Sequence, residues 1–178
     1  YPEHLGPEFC DIYEELKHER TSHPKKSPLN EALKLALNSV YGNSNSKYSP
    51  FYDPQYTMTV TINGQLMLLM LDEWLNKIPS VNTIQCNTDG ITIRVHKDNL
   101  RNVRDTVKSW ERLTGLEMEE AEYDAMYIAD VNNYVALYTN GDVKQKGVFN
   151  TDLRLHQNHD PLGVKAAVLT HIAPDGEC

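Results

Sequence analysis

Cysteine is scarce: three residues in 178, Cys10, Cys86 and Cys178, far apart and odd in number. No CxxC pair occurs. That excludes a disulfide framework and a cysteine-based zinc site, and it fits a reduced, cytoplasmic protein. Long apolar runs are also missing. The longest, Leu66 to Leu71, breaks at Asp72 and Glu73. It is too short to span a bilayer, and no signal-peptide pattern precedes it, so no membrane partner is expected. Positive charge is in deficit, with 17 Lys and Arg against 25 Asp and Glu and a net charge of -8. Phosphate binding is carried by Lys and Arg, so the average weighs against nucleic acid. Seven His are scattered, and only His156 and His159 are close in sequence. No Cys or carboxylate pattern completes a zinc set around them, which leaves them as surface-loop residues. Internal repeats and low-complexity tracts are absent.

What remains is an ordinary globular composition, 40% hydrophobic and 24% charged. It suffices for one core, or a core plus a small subdomain. The charge is uneven along the chain. Lys17, Arg20, Lys25, Lys26, Lys34 and Lys47 make the first quarter basic, while Glu117, Glu119, Glu120, Glu122, Asp124 and Asp130 make a later stretch acidic. The chain opens in Y-P-E-H-L-G without Met and closes in A-P-D-G-E-C. It reads as a fragment of something longer.

Phe9, Ile12, Tyr13 and Leu16 fall at helical spacing over residues 8–20. The turn chemistry of T-S-H-P-K-K-S-P follows. A second helix is predicted over residues 29–41, with Ser27 as N-cap, Pro28 at its first position, Glu31 in its first turn and Gly42 as its stop. After a polar and aromatic loop comes a helix over about residues 64–77, ended by Pro79. V-N-T-I-Q-C, N-T-D-G and I-T-I-R-V read as strand, tight turn and strand. A further long helix, capped by Asp98 and ended by Gly115, carries the stripe Leu100, Val103, Val107, Trp110 and Leu113. Leu116 to Ala129 is strand-like, and Y-V-A-L-Y-T, N-G-D, V-K-Q-K-G-V-F reads as a second hairpin. The expected fold class is α+β: an antiparallel sheet backed by helices, with a helical hairpin projecting from it.

The second helix has an unusual polar face. Leu29, Leu33, Ala36, Leu37 and Val40 share one side, and Asn30, Lys34, Asn38 and Tyr41 share the other at spacings of four, four and three. A stripe of one cation, two amides and one aromatic suits either a solvated face or a face that holds a triphosphate and a base.

K-x-x-x-N-S-x-Y-G, carried by Lys34, Asn38, Ser39, Tyr41 and Gly42, resembles the fingers motif of the family B DNA polymerases. Downstream, I-Q-C-N-T-D-G-I-T-I over residues 84–93 is similar to that family's D-T-D-S palm hairpin. Thr88 and Asp89 match, while Asn87 stands for the first Asp and Gly90 for Ser. A third stretch, N-N-Y at Asn132 to Tyr134, keeps the Tyr of the family's K-x-Y but has Asn in place of the Lys.

The resemblance spans roughly residues 8–150. It implies a fingers helical hairpin over 1–43, a palm subdomain over 44–155, and a palm end or thumb connection over 156–178. It further implies that Lys34, Asn38 and Tyr41 bind the incoming deoxynucleoside triphosphate, and that Lys34 could also protonate the leaving pyrophosphate. Asp89 would bind catalytic Mg²⁺, and Tyr134, Lys144 and Lys146 would contact primer–template DNA. Two-metal transfer needs a second carboxylate, which in the family lies upstream of the fingers and so would precede residue 1. This segment alone is therefore expected to be inactive. With one charge fewer at Asn87, Mg²⁺ binding should be weaker. The short fingers and compact palm resemble viral, especially phage, enzymes, which would place the protein in host cytoplasm. The rival expectation is a nucleic-acid-binding homologue without catalysis.

Overall fold

The computed structural model describes residues 3–151 and 162–172. His156 and His159 lie outside them. Among the described residues the fold is α+β, with five α-helices and two small antiparallel sheets. The chain divides into two compact units, Tyr1–Met70 and Leu71–Cys178.

The first unit opens with α1 (Gly6–Ser22) and α2 (Pro28–Asn43), a helical hairpin as expected. Ser27 caps α2 by accepting from the Asn30 N–H at 3.3 Å, and Pro28 takes the first position, where no N–H is needed. Gly42 does not stop the helix. α2 runs through it to Asn43 and ends at Ser44 in right-handed geometry, because the buried Ser44 hydroxyl donates to Tyr41 O at 2.6 Å and closes the last turn.

The next helix, α3 (Pro54–Leu75), starts ten residues before the sequence-based estimate. Asp53 is its cap. Its carboxylate accepts from the Tyr56 N–H at 2.9 Å, and Pro54 follows at the first position. The β-branched run T-M-T-V-T-I argues against helix locally. Burial of Tyr56 and Leu68 along α3 outweighs that preference. Leu37, Tyr56 and Leu68 form the small core of this unit.

In the second unit, β1 (Asn82–Cys86) pairs antiparallel with β2 (Ile91–Arg94) through a turn at 87–90. The next helix, α4 (Leu100–Thr114), begins after a short 3-10 turn, Lys97–Asn99. There the His96 ring, not Asp98, is the capping acceptor, taking the Asp98 N–H at 3.5 Å. Gly115 ends α4 at φ 70°, as its sequence position implies. Val103 and Trp110 of the predicted stripe are buried, but Leu113 is exposed. β3 (Tyr123–Asp130), β4 (Asn133–Tyr138) and β5 (Val143–Lys146) form a three-stranded antiparallel sheet in the order β3-β4-β5. Residues 116–122 are irregular rather than strand, with Met118 N–H held by the Glu111 carboxylate at 2.7 Å. The antiparallel sheet of the expectation is thus present as two separate ladders. α5 (Leu162–Ile172) closes the described chain. Leu71, Leu75, Val81, Val103, Trp110, Val135, Ala136 and Leu169 make this unit's core.

Candidate active site

The α2 face divides differently from its periodicity. Lys34, Asn38 and Tyr41 are exposed, and among the described residues neither Lys34 nor Asn38 has a side-chain partner. They are four positions apart on the helix, an axial rise of about 6 Å, so both reach outward from one side of the rod. Asn30 does not join them. It is buried, and its amide donates to Arg20 O at 2.8 Å and His23 O at 3.1 Å. It closes the C-terminal end of α1, where carbonyls lack helical donors.

Tyr41 is held from two sides. Its hydroxyl pairs with Thr61 Oγ1 at 2.8 Å, and its ring meets Tyr56 edge-on at 6.2 Å. The row continues from Tyr56 to Phe9 at 6.2 Å and from Phe9 to Tyr13 at 6.0 Å. Tyr13 then donates its hydroxyl to Leu37 O at 3.2 Å. A line of aromatics therefore fixes the α2 face to α1 and α3. Tyr56 and Thr61 were not singled out by sequence. The D-P dipeptide at Asp53–Pro54, a helix start, is the signal that would have placed them on α3.

In the second unit, the 87–90 turn projects Asp89 with its carboxylate exposed. Asn87 shapes that turn: its N–H donates to Gly90 O at 3.0 Å and its side-chain oxygen accepts from the Asp89 N–H at 3.3 Å. This is an Asx turn, for which Asn and Asp serve equally as acceptors. Replacing Asp by Asn keeps the turn and removes a charge. A β-carbon at Gly90 would lie 3.3 Å from that same oxygen, so glycine lets the turn close around it.

Behind the turn, the Thr83 hydroxyl donates to the Asp72 carboxylate. Desolvation, and then the Asp72 charge, push the Cys86 thiol above its ordinary value. It stays protonated and is a poor metal ligand. Among the described residues no three His, Cys, Asp or Glu side chains gather into a metal-holding group. Asp89 supplies the hard oxygen that Mg²⁺ prefers, one donor of the several such an ion needs.

The three-stranded sheet carries the other predicted contacts. Tyr134 is buried, opposite Lys146 across the β4–β5 ladder. The Lys144 ammonium lies 5.9 Å from the Tyr134 ring centre. Burial acts to lower the Lys144 pKa, but the phenols of Tyr123, Tyr134 and Tyr138 around it together hold it above the ordinary lysine value. Lys144 is thus a firm cation, and Lys146 is exposed beside it. Asn133, also missed by sequence, anchors this end of the sheet. Its side-chain N–H donates to the Asp130 carboxylate at 2.7 Å, and its side-chain oxygen accepts from the Val148 N–H at 2.8 Å. Gly147, at φ 64°, allows that approach, since a β-carbon there would overlap the Asn133 side-chain oxygen and the Asn132 carbonyl. The groove lined by Trp74, Lys77, Asn102, Asp105, Thr106 and Ser109 contains none of the motif residues.

No family model matches the chain. Over 114 residues, 60% of its length, it is 33% identical to the DNA polymerase alpha catalytic subunit of Trypanosoma brucei brucei. The chain spans 8% of that relative. The similarity is to a catalytic subunit of a DNA polymerase and covers a small part of that subunit. It lends nothing to a viral or phage source. No described helix is long and apolar enough to cross a membrane.

Proposed function

We propose that this chain is the nucleotide- and metal-handling part of a family B DNA polymerase, working within a longer polypeptide. Residues 1–43 serve as fingers, 44–155 as palm, and 156–178 as the connection toward a thumb. The reading is carried by the exposed Lys34–Asn38–Tyr41 face of α2, with Tyr41 clamped by Thr61 and Tyr56. Lys34 and Asn38 take the triphosphate of a deoxynucleotide, and Tyr41 presents a fixed ring to the nascent base pair. The primer 3′-hydroxyl loses its proton to solvent and attacks the α-phosphorus, the bond to the bridging oxygen breaks, and pyrophosphate departs. Lys34, next to the leaving oxygens, neutralises them and can supply their proton. Asp89 would be one ligand of Mg²⁺, shared with a carboxylate from elsewhere in the longer polypeptide, and the ion would supply positive charge to the reacting phosphate. Lys144 and Lys146 contact phosphates of primer–template DNA, and Tyr134 supports them from beneath. The low cysteine content fits a reducing compartment such as the cytoplasm.

A second reading, a DNA-binding homologue without catalysis, is favoured by the amide at Asn87 and by Asn132 where the family carries Lys. Primer extension by the full-length protein with Mg²⁺ and deoxynucleotides, beside Asp89→Ala, separates the two. The expected result is extension by the wild type and a loss of about a thousandfold or more in the variant, with DNA affinity kept. DNA binding with no extension by either protein would establish the second reading.

A further inference from the structure

The loop between α2 and α3 is tied to itself and to the first unit. The Asp53 N–H donates to Ser44 O at 2.8 Å, joining its two ends. Ser44 is fully buried, its hydroxyl 2.7 Å from that of Thr57 on α3. Inside the loop, the Ser49 N–H donates to Ser46 O at 2.9 Å, the Tyr52 N–H to Ser49 O at 3.1 Å, and the Phe51 N–H to Ser49 Oγ at 3.0 Å. The backbone is therefore satisfied locally.

The aromatic side chains point outward instead of stabilising this arrangement. Tyr48 is 86% exposed, Phe51 49% and Tyr52 51%. Three large rings within five residues contribute little to the core. A loop with a purely connecting role gains nothing by exposing them. The Lys47 ammonium sits 5.1 Å from the Tyr48 ring centre. Apart from Pro50, the 44–53 segment holds only Ser, Asn, Lys, Asp and aromatics, with no aliphatic side chain to match an apolar protein surface. Flat π-faces beside a cation are how proteins take an unpaired nucleic-acid strand without reading its sequence. Duplex bases hide their faces in the stack and would leave these rings idle.

We propose that the loop at residues 44–53 is a stacking platform for unpaired bases of a single nucleic-acid strand. Tyr48, Phe51 and Tyr52 take base faces, and Lys47 takes a phosphate. The proposal deepens the polymerase reading, on which it rests only for the source of that strand, an unpaired template. Its test is independent of synthesis. Binding of the full-length protein to labelled oligothymidylate, and to a duplex of equal length, is followed by fluorescence anisotropy. The double variant Tyr48→Ala/Phe51→Ala is expected to bind the single strand about tenfold or more weakly and the duplex unchanged. Tyr48→Phe, which keeps the π-face, should bind as the wild type does. Lys47→Ala should reduce the salt slope by about 0.7. These side chains are exposed, so an unchanged thermal midpoint will show that the variants fold. Single-strand affinity unaltered in the double variant would overturn the proposal. Failure of the polymerase reading would register separately, as absent extension by the wild type.

Discussion

Asn30 and Asn87 show how little an amide's identity says about its task. Asn30 lies in register with Lys34 and Asn38, and periodicity assigns it to their face. The structure buries it, because it is in the first turn of α2, where the α1–α2 connection folds back and leaves the Arg20 and His23 carbonyls within reach. Side-chain spacing reports direction around a helix axis. It does not report what another segment places at one end. Asn30→Ala should therefore cost about 1–3 kcal/mol of stability, read from chemical denaturation. Asn38→Ala, on the same helix and exposed, should cost less than about 0.5 kcal/mol. Asn87 was legible as a turn residue, but its bond to the Asp89 N–H shows why the turn survives without the usual acid.

At the scale of elements, the helical hairpin, both β-hairpins and the Gly115 stop were legible, because caps, Asx-Gly turns and glycine signal locally. The start of α3 was not. Its first half is rich in β-branched residues, and only Asp53–Pro54 marks the helix against that composition. The union of β4 with the segment after β5 was also hidden, since it depends on Asn133 reaching 15 residues along the chain to the Val148 N–H. Gly147 makes that contact possible. Gly147→Ala meets both a left-handed φ and the Asn133 side chain. It should lose about 2–4 kcal/mol, measured by thermal or urea unfolding. If Lys146 acts on DNA, the same change should weaken DNA binding as well, because it displaces the end of β5.

For the whole molecule, the mean charge obscured the local one. A net charge of -8 coexists with a firm cation at Lys144 and an exposed one at Lys34. The titrating groups also set a pH window. The Tyr56 N–H and then His4 hold Asp53 below its ordinary value. Arg104 does so for Glu120, and the Asn133 amide and then the Asn132 N–H do so for Asp130. Their contribution is complete above the unfolded carboxylate values of about 4 and is lost as pH falls through the lower folded ones. On the alkaline side, burial raises Tyr13 and Tyr123, and the three phenols raise Lys144. Those contributions are present below about pH 10 and are lost as pH rises through the higher folded values. Urea midpoints should therefore be level from about pH 5 to 9 and fall on both sides.

The bond from the Asp53 N–H to Ser44 O closes the 44–53 loop at its neck. What lies beyond that neck does not help set where α2 ends or α3 begins. Doubling such a loop adds only about 0.6 kcal/mol of closure entropy. The segment is thus a cassette. Its rings and its lysine can be exchanged, and the loop lengthened, while the helices on either side keep their places, so changes to what this surface binds can be made without disturbing the scaffold that carries it.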